Sequence, residues 1–247
     1  MKNVQTRWIW VLGAIVASFV AAGTSARAAK APEAGGGQAT TKAAAQKTIG
    51  IVLFDGFEVL DVYGPVEFWG HVPEFEIVMI AEEAGPVRSG QGVATVAEYS
   101  FMTAPHVDIL MVPGGMGTRT EVNNPNLLSF LRERNDTTEL TTSVCTGSAL
   151  LAKAGLLDGV KATSNKRAFA FAMDQSAQAD WIGKARWVED GKFITSSGVS
   201  AGADMALGLI AKLYGHDRAA DLAATLEYVW NSDATNDPFA IELPGSH

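Results

Sequence analysis

The stretch TTSVCTGSALLAKAGLL, residues 141–157, joins a β-favouring run to a helical pattern of small and aliphatic residues. At the joint stands Cys145, the only cysteine in the 247-residue chain. Ser143, Cys145 and Gly147 reproduce the small-x-nucleophile-x-Gly form of a nucleophile elbow. That turn is strained and crowded, needs small neighbours, and presents its central side chain at the amino end of the following helix. Unpaired N–H groups there favour a thiolate, so a lowered thiol pKa is expected. A buried, inert cysteine is the competing reading; the elbow spacing at a strand end favours the reactive one. Thr146 follows, with the backbone N–H that serves as an oxyanion donor beside an elbow nucleophile and a hydroxyl able to orient water.

Outward from this turn, strands and helices alternate. KTIGIVLFDGF opens with a continuous apolar run from Ile49 to Phe54, closed by Asp55-Gly56, as in a strand covered on both faces. Gly64-Pro65 predicts a helix start with Pro65 at its first position. FEIVMIA (75–81) reads as a strand, and 85–100 as a hairpin turning near Gly90-Gln91-Gly92. VDILMVPGG (107–115) is a buried strand ending in Gly114-Gly115, and NNPNLLSFLRERND supplies an amphipathic helix. TELTTSVC is the next strand, followed by a helix stopped near Gly155. RWVEDGKFITSS turns at Asp190-Gly191, and two helices, 200–215 and 218–230, end the pattern. The order predicts an α/β fold with a mostly parallel central sheet flanked by helices, a three-layer sandwich.

Sites in such sheets form beyond the carboxyl ends of the strands. Three ends carry chemistry here: Asp55 to Asp61, Gly114-Gly115, and Cys145-Thr146. They are expected to converge. Asp61, between Leu60 and Val62, is the best-desolvated carboxylate of its segment; its pKa should rise and suit it to carry a proton. Glu58 and Glu67 compete with it. The glycines let backbone N–H groups approach a reacting atom, which makes Gly114 and Gly115 candidate substrate or oxyanion contacts. None of His71, His106, His216 and His247 falls at a strand's carboxyl end. No metal-ligand spacing, GxGxxG or phosphate-binding loop is present.

The first residues have a different character. Lys2 and Arg7 precede an apolar run from Trp8 to about Ala22, and Ala26-Arg27-Ala28 has the form of a cleavage site. Residues 1–28 therefore read as a secretory signal peptide, 29–47 as a disordered linker, and 48–247 as one domain. The full chain has a formal net charge of −8. Without the three basic residues of 1–28, 16 basic residues face 27 acidic ones, or −11. That balance argues against nucleic acid or an anionic membrane as partner. With one cysteine, no intrachain disulfide forms.

GIVLFDGFEVLDVYGPVEFW, DILMVPGG, SVCTGSALLAKAGLLDGVKAT and TSSGVSAGADMALGLI, in this order, resemble the ThiJ/PfpI superfamily, a branch of the class I glutamine amidotransferase-like fold. The Cys-Thr pair and the aspartate in LDVYGP resemble its isonitrile hydratase branch. The resemblance implies Cys145 as nucleophile, Asp61 as acid/base and Thr146 as helper. It further implies a homodimer, no cofactor and a small-molecule substrate. Where that branch tends to carry Thr-His-Trp after KAT, this chain reads Ser164-Asn165-Lys166, so a different pocket wall is expected. The rival from another class is a non-enzymatic exported protein whose thiol senses oxidants or holds a ligand. Hydrolysis of a small amide or ester is weakened by the missing histidine.

Overall fold

The computed structural model describes residues 46–243. The expected signal peptide, all but the end of the linker and the last four residues lie outside them. In chain order the elements are β1 (Lys47–Val52), α1 (Val59–Trp69), β2 (Phe75–Ala81), β3 (Gly85–Arg88), β4 (Ala94–Ala97), β5 (Tyr99–Ser100), β6 (Ile109–Val112), α2 (Thr118–Glu121), α3 (Pro125–Asn135), β7 (Leu140–Ser143) and α4 (Gly147–Lys153). Then come β8 (Lys161–Ala162), a 3-10 turn (Lys166–Ala168), α5 (Phe169–Met173), β9 (Asp180–Trp181), β10 (Trp187–Asp190), β11 (Phe193–Ser196), α6 (Ala201–Tyr214) and α7 (His216–Thr225).

Seven strands form one sheet in the order β10-β11-β7-β6-β1-β2-β5. Every neighbouring pair is parallel except β10 with β11, the hairpin turning at Asp190-Gly191. The central strands read as unbroken apolar runs because both faces are covered: Ile49, Ile51, Val52 and Ile109 to Val112 are all fully buried. This is the three-layer α/β sandwich expected. The β3–β4 hairpin forms a separate two-stranded sheet.

Four details differ from the sequence reading. β1 begins at Lys47, whose ammonium bonds Glu139 at 2.6 Å, so the sheet takes the last residue assigned to the linker. α1 begins at Val59, six residues before Pro65, so Asp61 lies in its first turn rather than before it. Pro65 is tolerated mid-helix because loss of one N–H costs a single backbone bond, while Val62, Phe68 and Trp69 are buried by the same helix. α7 stops at Thr225, with Glu227 at φ 54 just beyond, short of the expected Trp230. The short elements α2, α5, β8 and β9 carry no periodicity and had no counterpart in the sequence reading.

Candidate active site

The carboxyl ends of β1, β6 and β7 lie side by side, since those strands are neighbours in the sheet. Their loops are stitched together. Glu58 N–H donates to the Gly114 carbonyl at 2.8 Å, and Phe57 pairs with Gly115 as an isolated bridge. Gly115 has φ 125, and a Cβ there would come within 2.4 Å of the Gly56 carbonyl oxygen. Only glycine permits the two loops to touch.

The elbow has the strain its spacing anticipates. Cys145 has φ 56, one of two non-glycine residues in the left-handed region among the described residues. Such a conformation costs roughly 1–3 kcal/mol and persists where the surroundings dictate it. Here Cys145 N–H donates to the Ser196 carbonyl at 3.2 Å, and its own carbonyl accepts from Ser148 Oγ and Ser164 Oγ, both at 3.1 Å. Gly147 is obligatory: a Cβ would lie 2.1 Å from the Val112 carbonyl oxygen.

Asp61 is fully buried. Its Oδ2 accepts from Gly114 N–H at 2.8 Å, while Oδ1 has no hydrogen-bond partner among the described residues. Burial pushes its pKa well above the usual carboxylate range, and the charge of Glu58 adds to the rise. The Gly114 N–H and the Cys145 thiol both oppose it. The thiol thus acts on the carboxyl as a hydrogen-bond donor. The competing carboxylates are engaged with other partners: Glu58 accepts from the Gln91 amide at 2.7 Å, and the exposed Glu67 pairs with His71 at 3.5 Å.

The thiol departs from expectation. Cys145 is buried, and its pKa is pushed up to about 12, first by that burial and then by the charge of Asp61. Three donors pull the other way, the backbone N–H and hydroxyl of Thr146 and the side chain of Asn165, and are outweighed. The helix after the elbow is only seven residues long, and its field does not overcome desolvation. At rest the site therefore holds a thiol beside a carboxyl, not a preformed thiolate.

The glycine donors are also engaged differently from the oxyanion role read for them. Gly114 N–H is held by Asp61, and Gly115 N–H donates to Thr146 Oγ1 at 3.1 Å. They fix the acid/base and the helper in place; the donors directed at sulfur come from Thr146 and Asn165. Thr146 Oγ1 also lies 3.1 Å from the Thr118 hydroxyl and 3.4 Å from the Arg119 guanidinium. Its own proton has two acceptors in reach, the Gly115 carbonyl at 3.3 Å and the sulfur.

Arg119 escaped the sequence reading, whereas Asn165 figures there only as part of an altered pocket wall, without a role toward the thiol. Arg119 bonds the Gly115 carbonyl at 3.1 Å and stacks 4.3 Å over the Phe171 ring. Asn165 spans two tasks: its Oδ1 accepts from Arg167 N–H (3.0 Å) and Ala168 N–H (3.2 Å), which leaves the amide end of the side chain to serve the thiol. Asn165 also lines a cleft of about 310 Å³ whose wall includes Leu60, the neighbour of Asp61. Among the described residues no group of three or more His, Cys, Asp or Glu side chains could hold a metal ion.

The family model for the DJ-1/PfpI family matches residues 47–212, from the first strand through most of α6. The chain belongs to the DJ-1/PfpI family. Its relatives in that family differ in what they do. An isonitrile hydratase from Pseudomonas putida is 33% identical over 180 residues, which span 73% of this chain and 78% of the enzyme. The HTH-type transcriptional regulator CdhR of Pseudomonas aeruginosa is 28% identical over 177 residues, 70% of this chain but only 52% of the regulator. Among solved structures, a ThiJ/PfpI family protein from Pseudomonas syringae superposes with a TM-score of 0.67 at 32% identity, covering 78% of this chain and 77% of that one. Family membership thus fixes the fold, and leaves activity to the residues around Cys145.

Proposed function

We propose that the chain is an exported, homodimeric hydratase that converts a small isonitrile to an N-substituted formamide without a cofactor. One observation carries the reading: a fully buried carboxyl, Asp61, anchored through one oxygen by Gly114 N–H and interacting with the Cys145 thiol. The likeness to an isonitrile hydratase supports it. Export rests on the leader pattern of residues 1–28, and the dimer on the family resemblance.

Because the thiol rests protonated, the carboxylate form of Asp61 takes the sulfur's proton as sulfur attacks the terminal isonitrile carbon. The N–H of Thr146 and the amide of Asn165 offset negative charge on sulfur. Asp61 returns that proton to the same carbon, giving a thioimidate. Water then adds to the thioimidate carbon, its proton passing through Asp61 to the nitrogen. Collapse of the adduct expels sulfur and releases the formamide; the adduct's hydroxyl proton returns through Asp61 to the thiol. The balance is one isonitrile and one water consumed for one formamide.

The rival redox sensor needs a thiolate, because oxidation to sulfenic acid follows thiolate character and exposure. A buried thiol with its pKa pushed up to about 12 disfavours it. The test pairs formamide formation from a simple alkyl isonitrile, read by NMR, with intact mass after mild peroxide. Turnover that vanishes in Cys145→Ala supports the hydratase; oxidation without turnover across an isonitrile panel selects the sensor.

A further inference from the structure

The cleft lined by Asn165, whose side chain also serves the buried thiol, has a definite chemistry of its own. Its lining includes three basic side chains, Lys166, Arg167 and Arg186, and no carboxylate. Two of these cations are spent internally. Lys166 Nζ donates to Thr163 Oγ1 and the Ala185 carbonyl, both at 2.7 Å, and lies 3.5 Å from Asp237. Arg186 bonds Asp204 through Nε at 2.6 Å and stands 3.9 Å from Asp237. Arg167 is exposed, and its guanidinium meets no acceptor among the described residues. With Asp204 and Asp237 set against the three cations, the described residues leave the cleft one uncompensated positive charge. It does so in a chain whose overall charge is −8.

The remaining walls sort by polarity. Leu60 and Phe239 line the cleft as exposed apolar side chains, 46% and 67% accessible. Phe239 is held there by its N–H, which donates to Asp237 Oδ1 at 3.1 Å. Gly198, Val199 and Ser200 also line the cleft, and their backbone N–H groups have no protein acceptor among the described residues. A neutral apolar ligand would leave the guanidinium and these amides without partners. A carboxylate joined to a short apolar body matches all of them, since the guanidinium fork is complementary to a carboxylate.

We propose that the substrate is an isonitrile bearing a carboxylate at the far end of a short apolar spacer. Arg167 and the Gly198–Ser200 amides receive the anion, Leu60 and Phe239 flank the spacer, and the isonitrile carbon reaches Cys145 past Asn165. This inference rests on the hydratase reading for the reacting end of the substrate, and on the cleft alone for the anion.

The full chain is assayed with 4-isocyanobutanoate and with its methyl ester. In parallel, binding of N-formyl-4-aminobutanoate and of its methyl ester is titrated by NMR, a readout that needs no turnover. The acid is expected to show the lower KM. Arg167→Gln should raise that KM about tenfold, the loss of roughly one charge-assisted contact, with kcat within about twofold and the ester unaffected. Arg167→Lys should restore part of the effect. An ester turned over or bound as well as the acid overturns the proposal, and so does a loss in Arg167→Gln that is equal for acid and ester. If neither isonitrile reacts but the formyl acid binds in an Arg167-dependent way, the hydratase reading fails and the carboxylate site stands. If both isonitriles react without charge preference, the hydratase stands and the carboxylate site falls.

Discussion

At Cys145 the decisive quantity is the location of one proton. Burial and the charge of Asp61 push the thiol up to about 12, while burial also lifts Asp61. The first proton to leave the pair on raising pH therefore comes from the carboxyl. Activity is expected to rise with pH as Asp61 ionises, because only the carboxylate can accept the thiol's proton during attack. Asp61→Asn should lower kcat/KM by about 10²-fold or more, the usual scale for a positioned base, and erase that rise; steady-state rates across pH read both. Asn165→Ala removes a donor from the sulfur while leaving the base in place. A fall in kcat of about 10²-fold is expected, the scale of one lost preorganised donor, with the pH at which activity rises unchanged. Cys145, Asp61 and Thr146 could be picked out along the chain because each sits at a strand end in a recognisable local setting. Asn165 is legible only as part of the Ser164-Asn165-Lys166 wall that departs from the resembled branch; its role toward sulfur arises when the loop after β8 brings it against a residue 20 positions earlier, and no periodicity marks that loop. The direction of the thiol's shift was hidden for a related reason. The helix-end donors are legible locally, whereas the burial that outweighs them belongs to the assembled fold.

Among the elements, the tight join of β7 to α4 contrasts with the loose packing inside α1. Gly147 and Gly64 are both helical glycines, yet their surroundings differ. A Cβ at Gly147 would meet the Val112 carbonyl oxygen at 2.1 Å, backbone that cannot move without breaking the sheet edge of the site. At Gly64 the nearest atoms are Leu60 Cδ1 at 3.8 Å and Ala203 Cβ at 3.9 Å, ordinary contact distances. Gly147→Ala should therefore cost about 3 kcal/mol or more. Gly64→Ala should gain about 0.5–1 kcal/mol from helix propensity. Urea titrations of the two variants beside the parent chain measure the contrast. The long apolar strands and the capped helix α3, whose Asn124 side chain accepts from Asn126 N–H and Leu127 N–H, could be placed from sequence. Pro65 misled the reading because a proline so often opens a helix; here burial of Phe68 and Trp69 carries the helix through it. The two-residue strands β8 and β9 are too short to show any alternation, and they pair only with each other.

For the whole molecule, the site imposes a stability cost that pH can reveal. Asp61 is fully buried, its Oδ1 has no hydrogen-bond partner among the described residues, and its folded-state pKa lies well above the 3.8 of an ordinary aspartate. Below the unfolded pKa both states hold the proton and no cost arises. As pH climbs from about 4 towards the raised folded pKa, the unfolded chain releases the proton while the folded chain retains it. Stability therefore falls across that window by linkage, because the folded state binds more protons. An asparagine keeps the shape without the titration. Asp61→Asn should thus be more stable than the parent near neutral pH, and the difference should shrink to its pH-independent part as pH approaches 4. A pair of urea titrations at each pH checks this, with circular dichroism confirming that both chains start folded. A difference that grew towards acid pH would show Asp61 to be stabilised as a carboxylate in the fold, and the proton shuttle between Asp61 and Cys145 would lose its basis. The expected result, together with the loss of turnover in the same variant, places Asp61 among residues kept at the expense of stability because the chemistry of the adjoining sulfur requires them.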